Sequence, residues 1–142
     1  WKGGTWYGGE WRGGTWEGGS WYGEVWFGGT WHNGTWLCGD WVEGTWNDGE
    51  WHEGSWCDGT WNSGTWHNGI WEGGTWKGGT WNGGTWLGGV WEGGTWTGGT
   101  WRRGVWKGGT WNGGKIVNRR GNDVYSDVSP AEFYAKEREN NR

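Results

Sequence analysis

From Trp1 to Trp111 the chain carries a tryptophan at every fifth position without a miss, with small or polar residues nearly everywhere between. The 23 tryptophans define repeats of W-x-x-G-x, and the position three after Trp is Gly in every repeat but one, where Glu24 stands. A five-residue period does not suit an α-helix: at about 100° per residue the tryptophans would drift round the axis and line no single face. So many glycines would also cost a helix or plain strand roughly 0.5–1 kcal/mol each. Collagen needs Gly at every third residue, which is absent. The pattern instead predicts very short strands joined by corners. In T-W-x, alternation sends Trp to one side and both neighbours to the other. The next two residues are G-G, N-G, D-G, E-G, S-G, C-G or R-G, the composition of tight turns. The residue two after Trp is mostly Gly, Asn or Asp, which predicts a positive φ there, with a second turn type at Glu43, Glu53 and Arg103. A fixed short period means wound units. The chain therefore reads as an all-β solenoid with its tryptophans inward. Each buried indole removes ~150–250 Å² from water, worth several kcal/mol at ~25 cal/mol/Å². Each buried N–H is expected to find a corner carbonyl.

The unit G-T-W-x-G resembles the pentapeptide-repeat family, whose chains wind as right-handed, four-sided β-helices. In that family a large central residue points inward and a small residue two before it also faces the core. Over residues 1–115 the resemblance implies about twenty residues per coil and nearly six coils, a rod of roughly 27 Å at ~4.8 Å per rung. The family centre is usually Leu or Phe and its small position Ala; here Gly is expected to make room for Trp in a close-packed interior. An even number of sides also agrees with the residues before Trp. Positions 5, 15, 25 and onward hold only Thr, Val or Ser, whereas the alternate set includes Glu10, Asp40 and Glu50. Glu24 would put a carboxylate at an inward corner, which predicts a local bulge or an out-turned corner there.

Beyond the solenoid (1–115), residues 116–142 read as a capping segment. The run RGND between Val-containing stretches predicts a hairpin turn. In VSPAEF, Ser129 is an N-cap, Pro130 sits at the first helical position and Glu132 completes a capping box. Val128 and Phe133 form a hydrophobic staple, and a helix over about 130–139 follows, with Phe133 and Tyr134 as its apolar contacts. Such a lid answers the open strand edges at a solenoid end. The chain opens on Trp1, inside the repeat, and is read as part of a longer protein.

Charge narrows the functional classes. The net charge is −4, and from Gly13 to Trp76 there is no Lys or Arg. Nucleic-acid binding needs a basic face and is not expected. No apolar run has transmembrane length, so no membrane partner is expected either. No catalytic triad, paired carboxylates in a cleft or phosphate loop is present, and a filled solenoid offers no pocket. The expectation is a protein that is not an enzyme and holds no cofactor.

Several residues still invite a role. Glu43, Asp48, Glu53 and Asp58 occupy successive corners and would ring one level of a four-sided coil as a hydrophilic waist. His32 and His52 would stack on one face, between Arg12 and Glu72, without a third metal ligand; His67 falls on another face. Tyr7 and Phe27 would stack outward, with Tyr22 on a neighbouring face, as a partner or sugar contact. Cys38 and Cys57, nineteen residues apart, would lie roughly 6 Å apart between Cα atoms in a twenty-residue coil, within reach of a disulfide.

Three functions follow as expectations. The first is a stiff rod that spaces or attaches other structural proteins, or further copies of itself as a homo-oligomer. W-x-x-G-x tracts look like those in virion proteins of tailed bacteriophages, which implies a tail, fibre or capsid-associated part, made in the host cytoplasm. The second is an acidic DNA mimic of the gyrase-inhibiting kind. The third is a carbohydrate- or ice-binding solenoid, for which only Thr95-Trp96-Thr97 supplies paired outward threonines.

Overall fold

The computed structural model describes residues 1–140. The repeats form strands of two or three residues that wind into a β-solenoid of about seven turns, with three parallel sheets as its sides. The first sheet runs from the Thr5–Tyr7 strand to Thr110–Trp111, and the third from Thr15–Trp16 to Val105–Trp106. The second starts at Glu10–Trp11 and ends with Lys115–Val117 and an antiparallel Asp123–Tyr125 strand. Register repeats every fifteen residues, as in Trp51↔Trp66 and Trp56↔Trp71. Each repeat supplies two rungs of backbone hydrogen bonding. The N–H of Thr65 donates to the Gly49 carbonyl at 2.9 Å and that of His67 to the Trp51 carbonyl at 2.8 Å, and the pattern recurs along the chain.

The coil is thus three-sided, not four-sided, and at ~4.8 Å per rung about seven turns make a rod of roughly 34 Å. The reason lies in how indoles fill a cross-section. Mid-rod, Trp61 stacks on Trp46 and Trp76 at 4.7 Å between ring centroids, nearly parallel. Around the coil it meets Trp56 and Trp66 edge to face, at 5.8 and 5.9 Å. Three rings close the triangle with the contacts aromatic quadrupoles prefer. A fourth side would open an axial gap that no other side chain of the repeat could fill. From Trp16 to Trp101 every tryptophan is 0% exposed.

The corners differ from expectation too. Positive φ falls on the Gly three after Trp, and on the residue two after it only at Gly8 and Gly113 near the ends of the solenoid; Gly64, for example, has φ 115°. Among the described residues no non-glycine has positive φ, so Glu43, Glu53 and Arg103 need no second turn type. A Cβ on Gly64 would also overlap the Gly49 carbonyl oxygen in the coil beneath. Gly therefore makes room less for Trp than for the neighbouring corner. At the exception, Glu24 faces solvent while Gly23 is buried against the Trp21 ring, where a Cβ would overlap it. The corner turns outward.

Indole N–H groups are less well satisfied than expected. Those of Trp31, Trp46 and Trp66 donate to corner carbonyls of Asp48, Ser63 and Gly83 at 3.1–3.2 Å. Most others along the column have no hydrogen-bond partner. An unmade bond to a buried donor costs about 1–3 kcal/mol, so stacking and burial hold the column against a standing polar penalty.

The periodic register outlasts the tryptophans. Lys115–Val117 pairs in parallel with Thr100–Trp101, and Ile116, fully buried, takes the next Trp place opposite Trp101. Asn118 then holds the turn, its Oδ1 accepting from the N–H groups of Arg120 and Asn122 at 3.0 and 2.9 Å. The Asp123–Tyr125 strand pairs with Lys115–Val117 and covers the edge of the second sheet. Ser126, buried, bonds through Oγ to the backbone of Val128, while its carbonyl accepts the Trp111 indole N–H at 2.9 Å. Helix α1 (Pro130–Asn140) starts at Ser129, whose Oγ accepts from the Glu132 N–H at 3.4 Å and whose carbonyl accepts from the Phe133 N–H at 2.8 Å. Pro130 is buried, and Val128 and Phe133 are half-buried. Phe133 and Tyr134 pack against the tryptophan core, and the Tyr134 hydroxyl donates to the Val117 carbonyl at 3.0 Å. Burial, and secondarily the charge of Glu137, pushes the Tyr134 phenol up to about 12.

This segment covers the last rings and one sheet edge. Deleting residues 116–142 is expected to expose both and make the rod associate end to end, since open edges pair with other chains. Light scattering on the truncated chain checks this; a monomer would show that the segment serves something other than closure.

Candidate functional site

With the interior filled, chemistry is confined to the outer faces. Each sheet presents two rows, the residues just before and just after Trp, with members fifteen residues apart. The shorter coil therefore redraws every grouping expected from a twenty-residue one.

His32 and His52 lie on different sheets. On the third, the His32 ring shares a 3.1 Å hydrogen bond with the Asn47 amide, which accepts in turn from Asn62 at 2.8 Å. His52 instead stacks on His67, with ring centroids 4.6 Å apart and planes within 11°. Glu50 and His52 flank Trp51 on one outward face, and Glu50 Oε2 lies 3.3 Å from His52 Nε2. One coil on, His67 is half-buried and its Nε2 is shut off from solvent with no hydrogen-bond partner. Ligand atoms of Glu50, His52 and His67 all lie within 4.8 Å of one another. The sequence carried this cluster in the fifteen-residue step from 52 to 67, a signal readable only once the coil length is known.

Tyr7 and Phe27 do not stack either. Tyr7 stacks on Tyr22 along the first sheet, centroids 5.4 Å apart, and both are exposed. On the second sheet the Arg12 guanidinium lies over the Phe27 ring at 5.1 Å and bonds Glu10 at 2.7 Å.

The acidic waist has a local structural use. Asp48 and Asp58 each accept, through Oδ1, the N–H of the following corner Gly at 2.8 Å, and Glu43 and Glu53 do the same at 3.1 and 3.3 Å. The four do not ring one level: Glu43, Asp48 and Glu53 take the three corners of one coil, and Asp58 comes back over Glu43 one coil of fifteen residues later. Asn33 caps Gly34 in the same way at 2.8 Å. These corners thus share one device for an amide that the coil leaves unpaired.

Cys38 and Cys57 are both free thiols, and the expected pairing does not form. Fifteen residues bring position 53, not 58, over Cys38, so Cys57 is carried to the second sheet. There it stands between Val42 and Glu72, its N–H donating to the Trp41 carbonyl at 2.7 Å. Burial, then the hydrogen bond and charge of Glu72, pushes the Cys57 thiol up to about 12, with Asp40 and Asp58 adding to it. Since the thiolate is the nucleophile, alkylation at mild pH is expected to label exposed Cys38 well ahead of Cys57. Peptide mapping after timed labelling checks this; equal rates would contradict it.

Surface hollows among the described residues gather near the C-terminal cap. One, about 550 Å³, lies between the 118–122 turn and helix α1 and is lined by Arg119, Arg120 and Glu137 among others. Among the described residues no helix is long and apolar enough to cross a membrane.

Comparisons with protein-family models, with curated proteins and with solved structures each returned no match. By its fold the chain is a tryptophan-rich β-solenoid. Its five-residue spacing is consistent with a pentapeptide-repeat-like fold, wound with three sides.

Proposed function

We propose that the chain is a non-enzymatic structural rod that spaces or attaches other proteins within a particle. The observation that carries this reading is the unbroken column from Trp16 to Trp101, each ring 0% exposed, which leaves the interior no room for a ligand. Stacked rings and axial hydrogen bonds favour stiffness and fixed length. The resemblance of W-x-x-G-x tracts to virion proteins of tailed bacteriophages favours a phage particle, in its tail, a fibre or a capsid-associated part. Neighbouring structural proteins are then its partners, or further copies of itself, with the exposed Tyr7, Tyr22 and Phe27 as a contact patch.

The DNA-mimic alternative has the acidic stretch in its favour, but the corner acids already serve their own backbone. For ice binding, Thr15, Thr30, Thr45, Thr60 and Thr75 now form one row on the third sheet. Its companion row, however, runs Glu17, His32, Asn47, Asn62 and Lys77 rather than threonine.

The test is quantitative mass spectrometry on purified phage particles before and after mild denaturant. A fixed copy number per particle supports the reading. Absence from particles together with inhibition of gyrase supercoiling would replace it with the DNA mimic.

A further inference from the structure

We propose that Glu50, His52 and His67 form a zinc-type metal site that clips two consecutive coils of the first sheet together. Strand alternation puts Glu50 and His52 on the same outward face, one on each side of inward Trp51. The parallel register Trp51↔Trp66 then sets His67 one rung above His52. Backbone bonds fix this placement: His52 N–H donates to the Trp36 carbonyl and His67 N–H to the Trp51 carbonyl, both at 2.8 Å. The three ligands thus come from two neighbouring rungs, and an ion bound by all three ties those rungs by side chains as well as by backbone.

The donor set and its spacing fit. Zinc takes imidazole nitrogen at ~2.0–2.1 Å and carboxylate oxygen at ~2.0–2.2 Å, so two donors on one tetrahedral ion sit roughly 3.4 Å apart. Glu50 Oε2 and His52 Nε2 are already 3.3 Å apart. All three donors lie within 4.8 Å of one another, so closing the site needs movement on the scale of a side-chain rotation. The stacked imidazoles must splay from parallel for their lone pairs to converge. His67 gives the independent pointer to a ligand. Its Nε2 is closed to solvent yet has no hydrogen-bond partner. A buried polar nitrogen with nothing to bond is costly in a protein that satisfies most of its polar groups. A metal ion would accept the lone pair of that nitrogen. It would also bring Glu50 Oε2 and His52 Nε2, 3.3 Å apart, onto one centre. Two imidazoles and one carboxylate suit zinc and its neighbours among the divalent ions, rather than calcium or magnesium. Three protein ligands leave a coordination position facing solvent.

The site is tested by titrating Zn²⁺ into the full chain by calorimetry, and Co²⁺ by its visible absorption. One ion per chain is expected. His67→Asn and His52→Asn should each weaken binding by at least roughly 10-fold, the scale on which even supporting residues of metal sites are felt. Both are mild changes, because the same row holds asparagine at Asn82 and Asn112; Glu50→Thr copies Thr65 and Thr80 in the companion row. His32→Asn and the double variant Cys38→Ser/Cys57→Ser should bind like the parent chain. Zn²⁺ should also raise the melting temperature of the parent chain and not that of His67→Asn. No saturable binding by the parent chain would overturn the proposal. So would unchanged binding in both histidine variants, or loss of binding in the cysteine variant alone.

Discussion

Replacing Gly64 by alanine is expected to destabilise the rod by about 3 kcal/mol or more, while the same change at Gly73 shifts stability by no more than about 0.5 kcal/mol. The two glycines belong to corners two repeats apart in one solenoid and lose the same hydrogen atom. At Gly64 the φ of 115° is unfavourable for any L side chain, and the new methyl overlaps the carbonyl oxygen of Gly49. The clash is backbone against backbone. It cannot be relieved by a rotamer change and must push two coils apart, straining the rung bond from Thr65 to Gly49. At Gly73 φ is not positive, and a Cβ would sit 3.4 Å from the Cys57 carbonyl oxygen, an ordinary contact. Denaturant unfolding of the two variants beside the parent chain checks the contrast. Equal losses would mean that the corner conformation is not what makes glycine obligatory three residues after Trp.

The second large effect concerns the column. Trp61→Ala should cost about 5 kcal/mol or somewhat more, the upper range for truncating a buried aromatic. Trp61 is 0% exposed and has stacked partners on both sides and edge-on partners around the coil, so the variant leaves a hole bounded by rings that cannot collapse into it. Each coil touches only its neighbours, and the damage should be local in structure and large in cooperativity. Hydrogen exchange should show amides of the rungs around residue 61 opening ahead of those near residue 31. Protection lost evenly along the rod would argue that the coils do not act as nearest-neighbour units.

The short strand, the corner and the inward tryptophan were legible in five residues of sequence, because alternation and turn composition are local properties. The number of sides was not. Identical repeats stack equally well on paper in coils of three or four, and the few outward acids, Glu10, Asp40 and Glu50, fall on two different sheets and so carry no signal of an even number of sides. What decides it is how edge-on indoles close a cross-section, a packing property invisible in the pattern of apolar positions. The position of the strained corner is readable in the near-invariance of Gly three after Trp, a stronger sign of positive φ than the frequent Gly one place earlier. Ile116 also kept the period, behind Gly113 and Gly114, although the indole was gone. The cap helix was legible because Ser129, Pro130 and Glu132 are local signals. The pairing of His52 with His67 was not, since it depends wholly on coil length.

The direction of the rung bonds has a mechanical consequence. Every inter-coil hydrogen bond, such as Thr65 to Gly49 at 2.9 Å, runs along the rod, as does the face-to-face contact of each indole with the next. Squeezing the rod end to end drives aromatic faces together, where repulsion rises steeply. Pulling on it lengthens all the bonds between two coils at once, and an extension of about 1 Å takes them beyond bonding distance. The molecule is therefore built as a strut and not as a cable: along its axis it resists compression more stiffly than tension.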